Sequence, residues 1–409
     1  MNTFHVGNFR KGSSQMILDA ALGVSLVLAL LVVSGIDRWR TKPAAFDDSQ
    51  PISATETTAG NTTSSLPPAR PMCIGVTPDR PEFDDMGSLL TTLGEGYKFR
   101  GFPMEDLTDM AKISELNIIF LTCSGIPESW VKQRLGQAAR DNMITVVPDE
   151  KILKRASDNL RAFVGSGGTL YVSDLHYDLV AQAFPELRDF RNFSPGKKQT
   201  VAAKVVDPGL RELIGGELSL DFDQTGWKPA AFAGKNVVSY LTGSYQTLQG
   251  EEKSSPFLVK FRHKDGTVIF TSFHNERQNS EVEKKLLQFL VFAAVTARED
   301  KQISDTIDQG GFKPEQKNIF AASKKQPVIT KLHHVVKEGQ LKFVLMFPNV
   351  GAKLKLTVAG PNGESFAKEG TSTLTLDVPR AAVGDWKYTV TAVDLPTESF
   401  TYKVIVGQK

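Results

Sequence analysis

The chain has 409 residues, with 48 Lys and Arg against 46 Asp and Glu, a formal net charge of +2, and 41% hydrophobic and 23% charged residues. This ordinary globular composition excludes a chain disordered throughout, a collagen-like repeat and a polytopic transporter; the charge balance excludes a nucleic-acid binder acting through bulk charge. Two cysteines are too few for a disulfide-built scaffold or a Cys-based zinc finger, and the length suits two or three domains, each with its own core.

Residues 1–15 read as an N-terminal tail and 16–36 as a transmembrane anchor. No residue from Ala20 to Ile36 is charged, and the apolar run reaches back through Leu18, Ile17 and Met16 past Asp19. About 20 helical residues cross a hydrocarbon layer of about 30 Å. Arg10 and Lys11 flank one side and Arg38, Arg40 and Lys42 the other, with Trp39 at an interfacial position. Val33-Ser34-Gly35 offers a weak cleavage site as the competing reading; the length of the run and the Arg/Trp/Arg stop favour an uncleaved single-pass anchor. The basic flanks are nearly balanced, and a short tail before one span places the bulk of the chain outside the cytoplasm. Residues 43–70 are nearly half Ser, Thr and Pro, a flexible tether reaching about 30 Å. Asn61-Thr62-Thr63 within it matches a glycosylation acceptor triplet.

A domain over 71–299 alternates short apolar runs with helix-like segments. Strands are expected at Cys73–Val76, Asn117–Cys123 and Thr169–Ser173, with a hairpin of Leu258–Phe261 and Thr267–Phe273 around Lys264-Asp265-Gly266. Helices are expected at Asp85–Leu93, Asp149–Gly165 and Glu281–Arg298. This alternation predicts an α/β fold with a flavodoxin-like, mostly parallel sheet and helices on both faces. Ligands of such sheets sit at the carboxyl ends of strands. The polar residues there are Asp79, Asp84, Asp85, Cys123, Ser124, Ser173, Asp174, His176, His274 and Glu276.

Three chemistries suit these residues. Ser173, His274 and Glu276 have the types of a hydrolase triad: hydroxyl, base and orienting carboxylate. Asp174, His176, His274 and Glu276 have the types of a metal site for zinc or a similar ion. Asp79, Asp84, Asp85, Ser124, Asp174 and His176 are candidates for ligand binding. The competing reading is that all of them cap strand ends and bond loop backbone. Cys73 and Cys123 are expected at opposite edges of the sheet, as free, buried thiols. The segment from Phe184 to Trp227 reads as a lid over the sheet edge or as a β-rich insertion with its own small core.

The Ile118–Gly125 segment resembles the strand and oxyanion loop of class I glutamine amidotransferase-like domains. Leu160–Leu170, with Gly167-Gly168 at its centre, resembles the helix–Gly-Gly–strand that leads to their nucleophile, and Phe273-His274-Asn275-Glu276 resembles their Phe-His-Pro-Glu motif, which carries the catalytic His and Glu. The resemblance covers about Met72 to Arg298 and is closest to the non-catalytic branches found in membrane-associated gliding and transport proteins and in ThuA-like proteins. Where the family has Gly-x-Cys-x-Gly, this chain has Val172-Ser173-Asp174-Leu175-His176. The nucleophile cysteine and the flanking glycines of a strained elbow are missing, so the resemblance implies no amidotransferase activity.

Residues 300–326 read as a second linker or a poorly packed helix. Residues 327–409 alternate with period two, and five strands are expected at Leu341–Phe347, Lys353–Val358, Thr373–Val378, Trp386–Val390 and Phe400–Val406: an all-β sandwich of Ig-like or pre-peptidase C-terminal type. Adjacent strand residues His333 and His334 face opposite ways and cannot readily share an ion. The combined expectation is a membrane-anchored, non-catalytic binding or scaffold protein of the cell envelope, with a hydrolase or metal-dependent enzyme as the alternative. Its expected partners are the membrane, through one N-terminal helix, and an envelope protein; a small-molecule or sugar ligand is the further option, nucleic acid is not, and no cofactor is implied.

Overall fold

The computed structural model describes residues 4–7, 72–137 and 143–409. The expected anchor at 16–36 and tether at 43–70 lie outside the described residues. Among the described residues, no helix is long and apolar enough to cross a membrane.

A nine-stranded sheet forms the α/β half. Its order is Phe99–Gly101, Ile74–Thr77, Ile118–Leu121, Thr169–Ser173, Gly266–Thr271, Glu252–His263, Val237–Gln246, Gln199–Val205 and Glu217–Phe222. The first five strands pair in parallel and the remaining pairings are antiparallel. The sheet is therefore mixed, not mostly parallel as expected. The difference arises in the segment expected as a lid or an insertion with its own core. Its strands Gln199–Val205 and Glu217–Phe222 extend the main sheet, with burial alternating along each. By contrast, Ile118–Leu121, Thr169–Ser173 and Gly266–Thr271 are buried at every position, as strands covered on both faces must be.

Local chemistry explains the helices that frame this sheet. Asp149 caps helix Glu150–Gly165 by accepting from the Lys151 and Ile152 N–H groups. Leu153, Ala156, Leu160, Phe163 and Val164 form its buried stripe. A Cβ on Gly168 would lie 2.5 Å from the Phe163 ring, so the step from helix to strand needs glycine there. A capping box of Ser280 and Glu283 starts helix Glu281–Val295. A small antiparallel sheet of Phe4–Gly7, Met143–Pro148 and Val131–Gln137 is separate from the main one.

The segment 300–326, expected as a linker or a poorly packed helix, is a helix end followed by a strand. Ala297–Gln309 is a helix that buries Ile303 and Ile307, and Lys313–Ser323 is a strand that buries Ile319, Phe320 and Ala322. One narrow apolar face in an otherwise polar sequence conceals both elements. The strand pairs with Ser399–Gln408 and opens a C-terminal region of two four-stranded antiparallel sheets, eight strands where five were expected. One runs Lys313–Ser323, Ser399–Gln408, Gly339–Met346, Leu374–Ala381; the other runs Val328–Val335, Gly384–Asp394, Lys353–Ala359, Ser365–Gly370. Phe343 of the first meets Tyr388 and His333 of the second. His333 is buried while the adjacent His334 is exposed.

The two halves lock together around a buried carboxylate. Asp300 is 6% exposed and binds Lys260 Nζ of the main sheet at 3.1 Å, Lys403 Nζ of the C-terminal sheet at 2.5 Å and Arg262 at 3.7 Å. The halves also meet where a Cβ on Gly96 would lie 2.4 Å from that of Val350. Burial opposes the charge on Asp300, but Lys260 and Lys403 outweigh it and hold the carboxyl well below its usual range. Removing one partner of a buried pair typically costs about 3–5 kcal/mol, so Asp300→Ala is expected to lower the unfolding free energy by about that much in urea titrations. Because the folded-state pKa is depressed, the contribution is complete above the unfolded-state value of about 4 and is lost as pH falls below it. The acid limb of the stability curve should therefore be shallower in Asp300→Ala than in the parent chain.

Candidate functional site

Parallel pairing brings the carboxyl ends of successive strands together, and the chain places a polar residue just beyond each. Asp84 lies between the Ile74–Thr77 strand and helix Met86–Thr92. Cys123 follows Ile118–Leu121, Asp174 follows Thr169–Ser173, and His274 follows Gly266–Thr271. Asp223 arrives from the far edge of the sheet, immediately after Glu217–Phe222.

Asp174 stands at the bend. Its φ is +43°, a left-handed conformation that side chains other than glycine adopt only at a cost and that Asp tolerates better than most. The Thr169–Ser173 strand turns there into a short 3₁₀ segment and helix Tyr177–Ala183. Its carboxylate accepts from the Lys228 N–H through Oδ1 at 2.6 Å. The other oxygen, Oδ2, lies 3.1 Å from His274 Nε2 and 3.9 Å from Cys123 Sγ. On the far side of the ring, His274 Nδ1 is 2.9 Å from Asp223 Oδ1, and Arg277 Nε donates to Asp223 Oδ2 at 3.0 Å.

A second set of bonds lies alongside. The Ser173 hydroxyl donates to Asp84 Oδ2 at 2.7 Å and accepts from the Cys123 N–H at 2.8 Å. Asp84 Oδ1 accepts from the Asn275 N–H at 2.9 Å. His176 Nε2 meets Ser124 Oγ at 3.0 Å. Cys123, Ser173, Asp174, His176, His274 and Asp84 are all 2% exposed or less.

Burial and pairing set the charges. Burial raises the Asp84 carboxyl above its ordinary value, although the His274 charge, Ser173 and the Asn275 N–H oppose it. Burial pushes the Cys123 thiol up to about 12 and the His176 ring down to about 4, so His176 is neutral at pH 7. Burial also disfavours charge on His274, but Cys123 and the bonds to Asp174 and Asp223 prevail and hold its pKa well above the usual histidine value. An imidazolium has no lone pair with which to take a proton, so His274 in this state is not a general base.

The structure separates the expected triad. Ser173 spends its hydroxyl on Asp84, both ring nitrogens of His274 face aspartates, and Glu276 is exposed. The carboxylates that flank His274 are Asp174 and Asp223. The expected metal set also changes: Asp174 and His274 stay together, His176 and Glu276 drop out, and Cys123 joins them, with one donor atom from each of Cys123, Asp174 and His274 within 4.8 Å of one another. The cysteines are free, but Cys73 is exposed, not buried as expected. Sequence reasoning missed Asp223; the available signal was its position directly after the alternating run Glu217–Phe222.

Two clefts open beside this network. One of about 500 Å³ is lined by Asp79, Asp84, Asp85, Ser88 and Thr122. The other, of about 280 Å³, is lined by Asp79, Glu82, Glu105, Ser124, Glu128 and Arg134. The sheet order sets the next two strands of the chain, Phe99–Gly101 and Ile118–Leu121, on opposite sides of Ile74–Thr77, which makes this the switch point at which open α/β sheets bind ligands. Of the expected ligand-binding residues, Asp79, Asp84, Asp85 and Ser124 line these clefts, whereas Asp174 and His176 line neither.

No family model matches the chain, and no curated protein matches it either. Among solved structures, the cytoplasmic protein STM3548 from Salmonella typhimurium aligns at 12% identity and a TM-score of 0.27, over 47% of this chain and 80% of its own. A β-galactosidase from Bacillus circulans sp. alkalophilus aligns at 11% identity and a TM-score of 0.28, over 72% of this chain and 35% of its own. The Aeromonas hydrophila periplasmic inhibitor of g-type lysozyme aligns at 14% identity and a TM-score of 0.18, over 24% of this chain and 90% of its own. At these TM-scores the matches assign neither a family nor a fold.

Mutation tests whether Glu276 belongs to the network that holds Ser173. Ser173→Ala leaves a buried Asp84 oxygen and the Cys123 N–H without their partner, at an expected cost of about 1–3 kcal/mol. Glu276→Ala should stay within about 0.5 kcal/mol of the parent. Urea titrations giving equal losses would show that Glu276 belongs to the network.

Proposed function

We propose that the chain is a membrane-anchored, non-catalytic binding or scaffold protein whose α/β half is a degenerate amidotransferase-like domain of flavodoxin-like type. The observation that carries this reading is the closed hydrogen bonding at the strand ends. The serine hydroxyl and the histidine occupy separate sets of bonds, and an aspartate stands at the elbow where a cysteine nucleophile would be. The strand–elbow–helix path through Asp174 supports the amidotransferase-like ancestry; its lost nucleophile supports the lost activity.

Binding is assigned to the switch-point clefts. Their walls carry Asp79, Glu82, Asp85, Glu105 and Glu128 against a single Arg134, and Arg134 is itself paired with Glu128. Such a surface suits a cationic segment of an envelope protein, or a polyhydroxylated ligand such as a sugar, and repels nucleic acid. The apolar run at 16–36 and the tether at 43–70 support a single-pass anchor with the folded part outside the cytoplasm, and the C-terminal sheets support an Ig-like adhesive module.

The test uses the full chain in detergent or reconstituted vesicles. Assays against glutamine, amide and ester substrates are expected to show no turnover above that of His274→Ala. Turnover abolished by His274→Ala would overturn the non-catalytic reading. Photo-crosslinkers at Glu82 and Asp85 in cells are expected to capture a discrete partner, and the charge reversal Glu82→Lys to weaken that capture by about tenfold or more. Release of the chain from membranes by alkaline carbonate would overturn the anchor.

A further inference from the structure

We propose that Cys123, Asp174 and His274 form a binding site for one zinc ion, with Asp223 as the residue that orients His274. The donors come from the ends of three adjacent parallel strands, so rigid, fully buried elements position them. Zinc binds sulfur at about 2.3 Å and nitrogen or oxygen at about 2.0–2.1 Å, which places two donors of one tetrahedral ion about 3.3–3.6 Å apart. Here Asp174 Oδ2 lies 3.1 Å from His274 Nε2 and 3.9 Å from Cys123 Sγ, and all three donor atoms lie within 4.8 Å of one another. Shifts of a few tenths of an ångström would bring both Asp174 contacts to that spacing, and a closing of at most about 1.2 Å would bring Cys123 Sγ and His274 Nε2 to it.

The surroundings match those of metal ligands. A ligating histidine normally gives its second ring N–H to a carboxylate, which fixes ring and tautomer. Asp223 Oδ1 stands 2.9 Å from His274 Nδ1 and is held in turn by Arg277. The Lys228 N–H occupies the remaining oxygen of Asp174, so Oδ2 is the one aimed at the cluster. The +43° φ of Asp174 is the local strain that brings this oxygen there. Thiolate, imidazole and carboxylate together select zinc over magnesium or calcium, which prefer all-oxygen sites. The thiolate and the carboxylate also balance the two charges of the ion, and binding releases the Cys123 thiol proton and the Nε2 proton to solvent. Three protein donors leave one tetrahedral position for water or a ligand atom.

None of the three donors lines the acidic clefts, so this inference stands apart from the binding function proposed above. The donors are 1–2% exposed, so the ion is expected to enter during folding and exchange slowly. The experiment therefore loads the full chain in growing cells, with zinc or cobalt in the medium, and purifies it in detergent. Expected results are about one zinc per chain by elemental analysis and, from cobalt-grown cells, a thiolate-to-cobalt charge-transfer band with strong tetrahedral visible bands. Cys123→Ser should lose the charge-transfer band, whereas Cys73→Ser, which removes the exposed thiol, should keep it. Asp223→Asn should retain the ion but give it up to a chelator about 10–100-fold more readily. Absence of metal from parent protein grown either way would overturn the site, as would a cobalt spectrum indifferent to Cys123→Ser. If Cys123→Ser does not fold, the parent spectrum together with Cys73→Ser still decides, because those are the only two thiols in the chain.

Discussion

Parallel pairing in register is the constraint on which the site depends. Neighbouring strands lie about 4.8 Å apart. Residues that follow three adjacent strands by one to three positions are thus brought within bonding reach, however far apart they stand in sequence. Cys123, Asp174 and His274 meet in this way across 151 residues of chain. The same register brings Ser173 beside Asp84 and the Cys123 N–H. The antiparallel half then contributes Asp223 from the opposite edge, and with it the second carboxylate on His274.

Burial decides what such a cluster can do. A buried polar group without a partner costs about 1–3 kcal/mol and a charged one more. Here the carboxylates of Asp84, Asp174 and Asp223 each accept at least two bonds. This satisfaction stabilises the strand ends and also immobilises them. Ser173 is held by two partners and His274 lies between two carboxylates. The open acidic surface lies one strand away, at the switch point.

A second buried carboxylate, Asp300, plays the corresponding part between the halves, joining the main sheet to the C-terminal sheet through Lys260 and Lys403. It sits in the segment whose polar sequence suggests a linker. Its charges look solvated in one dimension because their partners are 40 and 103 residues away. Elements with a wide apolar signal were legible: Thr169–Ser173, the helix at 150–165, the hairpin at Lys264-Asp265-Gly266 and the strands at 341–346 and 399–408 agree with the structure to within a few residues. Lys313–Ser323 was not legible, because a strand covered on one face shows only Ile319, Phe320 and Ala322.

Local chemistry written in the sequence determined the caps, the hydrophobic periods and hence the succession of strands and helices, because each depends on residues within a turn or two of one another. It also determined that polar residues crowd the strand ends. Which of those polar residues touch was decided only by the tertiary structure. Sheet order and register are long-range properties, and they alone set Cys123 and Asp223 against His274 while leaving Glu276 in solvent. The elbow itself was decided the same way: Asp174, not Ser173, takes the left-handed turn, because the carboxylate that bends there finds the Lys228 N–H and His274 waiting across the sheet.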